Sequence, residues 1–487
     1  MSHDTTFNND APGHAASDVA TLRIAASDVA TLRIAASDVA TLRIAASDVA
    51  TLRIATAGSV DDGKSTLIGR LLHDTKTVFE DQLAAVEKAS RRYGDGETNL
   101  ALLTDGLRAE REQGITIDVA HRYFATPRRS FIVADTPGHA QYTRNMVTGA
   151  STADVAIVLV DARHGVVEQT RRHAFIAALL GVRAIALAVN KMDLVGWDEG
   201  EFLSITKEVH EFVGALPRPV PVVSFPISAL LGDNVVVAST NTPWYDGGAL
   251  LGWLEHFETG EYGEPGEHRQ PGQPGEHFET GENEPVGAVG VPRLDVQRVI
   301  RPHGSDFRGF AGRLADGRLA VGDAIVVQPS GRTSTIVGLQ RFGRDIDVAS
   351  AGQAITVVLA DNVDVSRGDV ILRSGDEPVA PVHTVDGEVC WMIDQPLAPG
   401  SRVWFKHGTR TGRATVTAVR HRHDLATLLP EAVDSIGLND LASIRLELSE
   451  PIVARPYAAS RDAGRLILVD EATNTTAGAF VVTAQAS

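Results

Sequence analysis

The feature that most constrains the fold of this chain is a glycine-rich loop that follows a short apolar run. The loop reads Gly-Ser-Val-Asp-Asp-Gly-Lys-Ser and fits the spacing G-x-x-x-x-G-K-[ST]. In such a loop the backbone N–H groups converge on phosphates at the N-terminus of the next helix. Lys64 is expected to reach the β- and γ-phosphates, and the Ser65 hydroxyl to ligate Mg²⁺. A chance glycine turn is disfavoured because a strand-like run precedes the loop and a helix-forming run follows it. The predicted nucleotide site comprises Gly58, Ser59, Val60, Asp61, Asp62, Gly63, Lys64, Ser65 and Thr66.

Size and composition indicate a globular protein of several domains. The chain has 487 residues, enough for about three domains of typical size. It has neither a signal-peptide pattern nor an apolar run long enough to span a membrane. Its one cysteine, Cys390, suits a reducing compartment and is interpreted as a core residue rather than a nucleophile. The net charge of −17 disfavours non-specific nucleic-acid binding. We therefore expect a cytoplasmic protein with no membrane and no nucleic-acid partner.

The segment before the loop is repetitive. Residues 16–55 are four copies of Ala-Ser-Asp-Val-Ala-Thr-Leu-Arg-Ile-Ala. Only the last copy leads into the loop, where Leu52 and Ile54 alternate as one face of a strand. One domain has room for one such first strand. Residues 1–50 are therefore expected to be a poorly ordered extension, lengthened by tandem duplication.

Residues 51–256 alternate between continuous apolar runs and helical stretches, as in a parallel sheet covered on both faces. The strand-like runs are 131–134, 155–160, 184–189 and 220–227, and helical stretches include 169–180 and 201–213. Together with the glycine-rich loop, this pattern predicts an α/β P-loop domain with a doubly wound, mostly parallel sheet.

Composition changes twice after this domain. Residues 257–292 are rich in Gly, Glu and Pro, and a seven-residue segment occurs at both 255–261 and 276–282. We expect a flexible acidic linker here. From Arg293 onward, short β runs are separated by turn residues. Their total length predicts two antiparallel β-barrel domains, residues 293–379 and 380–487.

Two segments between the loop and the later strands have the pattern of phosphate-sensing switches. The first, Asp135-Thr136-Pro137-Gly138-His139, follows the strand 131–134. Asp135 at the strand end can hold Mg²⁺ through water, and Gly138 lets its backbone N–H meet the γ-phosphate. The second is Gly114–Asp118, in which Thr116 is the candidate second protein ligand of Mg²⁺.

Two further segments predict that the base is guanine. Asn190-Lys191-Met192-Asp193 follows the strand 184–189, and Ser228-Ala229-Leu230 follows the strand 220–227. Asp193 can accept hydrogen bonds from guanine N1–H and the exocyclic amine, whereas adenine presents the wrong pattern. Ser228, Ala229 and Leu230 would back the base. The expected ligands are therefore GTP and Mg²⁺, and an ATP site is the disfavoured alternative.

Three histidines need separate interpretation. His139 is either an exposed loop residue or the group that orients the attacking water, and its position after Asp-Thr-Pro-Gly favours the second role. Catalysis is accordingly assigned to His139, Lys64 and Thr116. His421 and His423 alternate on one strand face, as metal ligands do, but no third ligand is evident. A solvated strand is the preferred interpretation.

With these residues assembled, the chain resembles the translation-factor class of GTPases, a GTP domain followed by two β-barrels. Within that class it is most similar to the family of GTPase subunits (subunit 1) of bacterial sulfate adenylyltransferase. The similar stretches are residues 58–74, 105–118, 135–153, 306–312 and 365–369. Translation elongation factors usually carry histidine before the Gly-Lys pair, where this chain has Asp62.

The resemblance implies that GTP hydrolysis is coupled to the formation of adenosine 5′-phosphosulfate and pyrophosphate from ATP and sulfate. It also implies a separate small catalytic subunit as partner, with an adenylylsulfate kinase on a further chain. Two alternatives remain: an elongation factor that delivers aminoacyl-tRNA, and a regulatory GTP switch with no coupled chemistry. Asp62 opposes the first, and the two barrels exceed what the second needs.

Overall fold

The computed structural model describes residues 51–77, 100, 118–258, 290–303, 306–376 and 379–486. The predictions for the N-terminal repeats, for Thr116 and for most of the acidic linker lie outside the described residues.

The first domain is built on a six-stranded sheet with the order β2-β3-β1-β4-β5-β6. Its strands are β1 Thr51–Ala57, β2 Ala120–Ala125, β3 Ser130–Asp135, β4 Val155–Asp161, β5 Ala184–Asn190 and β6 Val222–Pro226. Neighbouring strands are parallel except β2, which runs antiparallel to β3 at the edge. Every residue of β4 and β5 is buried, because helices cover both faces of the central strands. The predicted doubly wound, mostly parallel sheet is confirmed.

Within the described part of this domain, five helices form the two outer layers. They are α1 Lys64–Asp74, α2 Thr143–Ala150, α3 Glu168–Leu179, α4 Glu199–Gly214 and α5 Leu250–His256. Helices α1 and α5 pack on one face of β4 with Val155, Ile157 and Leu159. Helices α2, α3 and α4 pack on the other face with Ala156, Val158 and Val160. This alternation is the two-residue period of a strand buried on both sides.

The first domain extends one residue further than the sequence predicts. Phe257, assigned to the flexible linker, is buried and packs against Trp253 with a ring-centroid distance of 5.2 Å. An aromatic ring that is out of water belongs to the core of the domain, so the linker starts later.

The first barrel contains β7 Arg293–Ile300, β8 Gly309–Asp316, β9 Arg318–Ala320, β10 Ala324–Gln328, β11 Arg332–Arg341, β12 Arg344–Ile346, β13 Val348–Ser350, β14 Ala354–Leu359 and β15 Val370–Arg373. Its main sheet has the order β10-β15-β7-β8-β14-β11, and pairing of β10 with β11 closes it. All these pairings are antiparallel.

The second barrel contains β16 Val382–Trp391, β17 Arg402–His407, β18 Arg410–His423, β19 Pro430–Glu431, β20 Leu441–Ile452, a short helix α6 Arg461–Gly464, β21 Arg465–Val469 and β22 Thr476–Ala486. The order β17-β21-β22-β16-β20-β18 is closed by pairing of β17 with β18. The prediction of two antiparallel barrels is therefore confirmed.

The second barrel shares a core with the first domain. Cys390, Met392 and Leu441 belong to the same buried cluster as α3 and α4. The Tyr457 hydroxyl donates a hydrogen bond to the Leu180 carbonyl at 2.6 Å. The predicted core role of Cys390 is confirmed, and burial raises the pKa of its thiol to about 12. The thiol stays protonated and unreactive at neutral pH.

Candidate nucleotide-binding site

The glycine-rich loop joins the end of β1 to the start of α1. Gly63 lies immediately before the helix with φ +93°, a left-handed conformation that favours glycine. A Cβ at this position would lie 2.4 Å from Asn190 Nδ2. The residue type at 63 is therefore fixed both by backbone geometry and by the close approach of the Asn190 side chain.

Lys64 is a buried cation with neutral partners. Its side chain is only 7% exposed, and its Nζ donates to the carbonyls of Gly58 at 2.9 Å and Ser59 at 2.7 Å. Among the described residues no carboxylate lies within ion-pair distance of it. Burial lowers the pKa of Lys64, and the nearby carboxylates Asp62 and Asp135 act in the opposite direction. An anion that reaches this ammonium would supply the missing countercharge.

The loop also contains a buried hydroxyl without a partner. Ser59 Oγ is shielded from water and makes no hydrogen bond within the described part of the chain. Buried polar atoms are normally satisfied, so an unsatisfied one at a phosphate loop fits a site that is completed by ligand oxygens.

Asp62 folds back onto its own loop. Its carboxylate accepts a hydrogen bond from the Ser59 N–H at 2.5 Å, and burial raises its pKa although that hydrogen bond opposes the shift. The Ser59 N–H of the loop is thus already hydrogen-bonded to a side chain of the same loop.

The segment after β3 lies directly against the loop. Asp135 is 2% exposed, and its Oδ1 accepts from Thr56 Oγ1 at 3.3 Å, while Thr136 Oγ1 donates to the Thr56 carbonyl at 2.5 Å. A Cβ on Gly138 would lie 2.4 Å from Lys64 Nζ and 2.5 Å from the Gly58 carbonyl. Only a glycine permits this approach, so the Asp-Thr-Pro-Gly segment and Lys64 border the same space.

The Asn-Lys-Met-Asp segment is tied to both of its neighbours. Asn190 Nδ2 donates to the Asp62 carbonyl at 2.7 Å, and its Oδ1 accepts from the Ala229 N–H at 2.9 Å. Lys191 adopts φ +62° and its Nζ donates to the Asp61 carbonyl. These bonds join the phosphate loop, the end of β5 and the Ser-Ala-Leu segment into one site.

Asp193 lies in a single 3-10 turn, Met192–Val195, directly after this junction. Met192 anchors the turn in the core, whereas Asp193 is partly exposed. The Ser228 hydroxyl accepts from the Leu231 N–H at 3.2 Å and shapes the opposite turn. Within the described residues the Asp193 carboxylate makes no hydrogen bond or ion pair, so it is available for a ligand.

Asp161 is a supporting residue that no motif identifies. It ends β4 with 2% exposure and forms ion pairs with Arg163 at 2.7 Å and Lys191 at 2.8 Å. Burial disfavours its charge, but the hydrogen bonds from Arg163 and Lys191 prevail and hold its pKa far below the ordinary value. Its sequence signal is its position directly after an entirely apolar strand, like that of Asp135.

Arg70 is a second such residue. From α1 its Nε donates to the Ala229 carbonyl at 3.3 Å, its Nη2 bonds the Leu230 carbonyl, and it pairs with Asp74 at 3.5 Å. It thereby connects the helix that starts at the phosphate loop to the segment expected to back the base. Nothing in the local sequence distinguishes it from an ordinary helix arginine.

The structure does not place His139 against the phosphate loop. The imidazole is exposed, its Nδ1 accepts from the Gln141 N–H at 3.3 Å, and its ring meets Tyr142 edge-on. The catalytic role of His139 stays a prediction, as do the Mg²⁺ roles of Ser65 and Asp135. Thr116 lies outside the described residues.

The preferred interpretation of His421 and His423 as a solvated strand is wrong for His423. That ring is buried, and its Nε2 lies 2.8 Å from Glu388 Oε2. The partner comes from a different strand of the barrel and could not be seen from the local pattern.

Comparisons with known proteins agree with this geometry. Residues 50–269 match the elongation factor Tu GTP binding domain, and residues 384–483 match the GTP-eEF1A C-terminal domain-like family. Fold and site therefore define a GTP-binding protein of the translation-factor GTPase class. Among the described residues, no helix has both the length and the apolar character needed to cross a membrane.

Relatives narrow the class to a family. Sulfate adenylyltransferase subunit 1 of Methylorubrum populi is 49% identical over 429 residues, which cover 88% of this chain and 86% of that protein. The bifunctional enzyme CysN/CysC of Mycobacterium tuberculosis is 49% identical over 432 residues, 88% of this chain and 66% of that protein. A solved structure of sup35 complexed with GDP covers 90% of this chain and 96% of its own at 19% identity and a TM-score of 0.39. The chain belongs to the sulfate adenylyltransferase subunit 1 family, as the resemblance predicted.

Proposed function

We propose that this chain is the GTP-hydrolysing subunit of a cytoplasmic sulfate adenylyltransferase. Its hydrolysis of GTP is coupled to the formation of adenosine 5′-phosphosulfate and pyrophosphate from ATP and sulfate, which a separate small subunit catalyses. An adenylylsulfate kinase on a further chain would use the product. The observation that carries the proposal is the 49% identity to subunit 1 over 88% of the chain.

The triphosphate would lie in the loop between β1 and α1. Lys64 Nζ, now bonded to two carbonyls, would turn to the β- and γ-phosphate oxygens. A buried ammonium gains more from an anion than an exposed one, because water screens the pair less. The backbone N–H groups of the loop and the unsatisfied Ser59 hydroxyl supply further donors.

The residues present fit a magnesium ion. Asp135 is a buried carboxylate and Ser65 a hydroxyl at the first turn of α1, and oxygen ligands are the ones Mg²⁺ prefers. Ser65, Asp135 through water, and Thr116 would hold it. When bound, the ion neutralises charge that develops on the phosphate oxygens.

Guanine would be read by Asp193. Its carboxylate accepts hydrogen bonds from N1–H and the exocyclic amine, and adenine would leave it unsatisfied. Asn190 already uses its side chain to fix the Ala229 N–H and the loop carbonyl of Asp62. Its task is therefore to position the base pocket, whereas Asp193 selects the base.

The close approach of Gly138 to Lys64 provides a switch. A γ-phosphate bound by Lys64 Nζ needs space beside an atom that a Cβ on Gly138 would already touch. The backbone at Gly138 must accommodate the phosphate, and the neighbouring His139 moves with it. Such a movement would bring His139 from its exposed position toward the attacking water, and hydrolysis would reverse it.

The test is pyrophosphate release from ATP and sulfate by this chain together with the small subunit, with and without GTP. We expect release to depend on GTP, and Lys64→Ala to lose the dependence while the complex still forms. Equal release with and without GTP, together with GTP hydrolysis stimulated by ribosomes, would overturn the proposal in favour of an elongation factor.

A further inference from the structure

Three potential metal ligands meet on the wall of the second barrel, far along the chain from the nucleotide loop. They are Glu388 on β16 and His421 and His423 on β18, and their ligand atoms all lie within 4.8 Å of one another. Glu388 is 9% exposed and His423 is 8% exposed. His421 is half-buried, so the cluster is shielded but reachable from solvent.

The strand register explains why these side chains converge. Ser443 on β20 pairs with Glu388 on one side and with His421 on the other, so the three residues form one row across the sheet. Directly paired residues point to the same face. His423 lies two residues beyond His421 and returns to that face. The backbone thus directs one carboxylate and two imidazoles to one place.

Two arginines, Arg420 and Arg422, flank the histidines along β18. Both are paired with carboxylates outside the cluster. Arg420 Nη2 pairs with Asp386 at 2.9 Å, and Arg422 Nη2 pairs with Glu431 at 2.7 Å. Neither β18 guanidinium is therefore an unpaired positive charge next to the two imidazoles and the carboxylate.

The cluster also lies at the contact between two domains. The ring of Phe175, from α3 of the first domain, packs 5.2 Å from the ring of His423. Glu388 and Phe175 both line a cavity of about 240 Å³ between the first domain and the second barrel, with Tyr457 on its wall. Water in this cavity can reach the Glu388 side of the cluster.

We propose that Glu388, His421 and His423 form a zinc site, with water as the fourth ligand. Two imidazoles and one carboxylate are a donor set that suits Zn²⁺, which takes nitrogen and oxygen ligands in tetrahedral sites. Neighbouring ligand atoms in such a site are about 3.3 Å apart, since each lies about 2 Å from the metal. The ligand atoms already lie within 4.8 Å of one another, and binding of the metal would draw them to the shorter spacing.

Zinc here would tie two strands of the second barrel together beside α3. Both ligating strands belong to the closed barrel, and His423 is the ligand in contact with the first domain. Binding to the folded chain alone stabilises it by mass action. The site involves none of the residues assigned to GTP, so zinc binding and nucleotide binding can be tested separately.

The experiment uses the full chain, treated with a chelator and then saturated with Mg²⁺–GDP to occupy the nucleotide site. Zinc is titrated in competition with a chromogenic chelator, and Co²⁺ is used in parallel because its visible absorption reports tetrahedral coordination. We expect His421→Ala to bind one zinc equivalent fewer than the wild type, or to bind that equivalent with an affinity reduced by more than about tenfold. Glu388→Gln keeps the size of the side chain and should show the same loss.

The matched control is His383→Ala, which removes an exposed histidine of β16 outside the cluster. It should retain the zinc affinity, the cobalt spectrum and the rise in Tm that zinc causes, whereas both cluster variants should lose all three. The Tm without zinc and the rate of GTP hydrolysis report whether each variant folds. Identical zinc stoichiometry, affinity and cobalt spectra in folded His421→Ala, Glu388→Gln and wild-type chains would overturn the proposal and leave a hydrogen-bonded His–Glu pair.

Discussion

At the scale of single residues, Lys64 defines the site. A buried ammonium bonded only to carbonyls retains much of its charge for a ligand, and two loop carbonyls hold it in place until the ligand arrives. The Asp-Thr-Pro-Gly segment after β3 places Gly138 against its Nζ. The positive charge of Lys64 and the space beside its Nζ and Gly138 therefore both fit the terminal phosphates of a nucleotide.

The predicted role of His139 in GTP hydrolysis can be tested separately from GTP binding. In His139→Ala we expect GTP hydrolysis to slow by about a hundredfold or more, because no imidazole orients the attacking water. The affinity for GTP should stay unchanged. Single-turnover hydrolysis and equilibrium binding of a fluorescent GTP analogue measure the two effects. Gln141→Ala, in the same turn, is the control and should hydrolyse normally. Wild-type turnover in His139→Ala would remove this histidine from the mechanism.

Two buried histidines make stability sensitive to acid. Burial lowers the pKa of His173 to about 3 and, together with the charge of Arg293, that of His407 to about 4, from an ordinary 6.5. Below pH 6.5 the imidazoles of His173 and His407 become protonated in the unfolded chain, whereas in the folded chain they stay neutral to a lower pH. The stability that these groups contribute is therefore complete above pH 6.5 and is lost as the pH falls toward 4.

We expect the wild type to lose about 2 kcal/mol per buried histidine between pH 7 and pH 5. His407→Gln should be less stable at pH 7, because its contact with the Ala463 carbonyl is disturbed, yet should lose less on acidification. Urea midpoints at the two pH values measure the difference. If the variant and the wild type lose the same amount, His407 is not a source of the acid sensitivity.

At the scale of elements, the site is assembled by the carboxyl ends of parallel strands. Asp135, Asp161 and Asn190 are the last residues of β3, β4 and β5. In a parallel sheet these ends share one edge, where ligands bind. The Asp161 carboxylate connects these strand ends to the phosphate loop, because Lys191 Nζ contacts both this carboxylate and the Asp61 carbonyl of the loop.

Asp161→Asn should therefore weaken GDP and GTP alike. We expect both affinities to fall about tenfold, because Lys191 loses its countercharge and the loop loses a tether. The control Asp154→Asn alters a carboxylate at the opposite edge, where it accepts from the Arg53 N–H at 3.0 Å. It should leave nucleotide affinity unchanged. Calorimetric titration with both nucleotides decides this, and unaltered affinity in Asp161→Asn would contradict the linking role.

The elements that the sequence predicts are those with a strong local pattern. Strands β3 to β6 stand out as continuous apolar runs, and α3 and α4 lie within two residues of their predicted spans. The sequence pattern does not reveal strand β2, because it is an edge strand with one buried residue and its run is broken by polar residues. The short α5 lacks enough turns to show a period.

The residues of the candidate sites likewise separate into those that a local motif predicts and those that only the folded structure reveals. Residues within motifs, such as Lys64 and Asp193, were predicted from spacing alone. Asp161 has no motif of its own, and Glu388 reaches His423 only because β16 and β18 flank β20. Contacts of this kind depend on strand register over long separations, which no local pattern in the sequence contains.

At the scale of the whole molecule, polar contacts connect all three domains. Arg410 of the second barrel pairs with Asp369 of the first barrel at 3.0 Å and bonds the Gly368 carbonyl. Arg293 of the first barrel donates to the Val453 carbonyl of the second. Tyr457 then ties the second barrel to the first domain. The displacement proposed at Gly138 would therefore begin in a structure whose three domains are in direct contact.

The central claim is that one pocket reads guanine and that cleavage of its terminal phosphate is coupled to sulfate activation. Asp193→Asn tests both parts together, since an amide at this position donates to the extra carbonyl of xanthine and no longer pairs with guanine. The measurement is pyrophosphate release from ATP and sulfate by the variant chain with the small subunit, in the presence of GTP or of xanthosine triphosphate. The account predicts stimulation by xanthosine triphosphate and not by GTP, the reverse of the wild type; undiminished stimulation of the variant by GTP would contradict it.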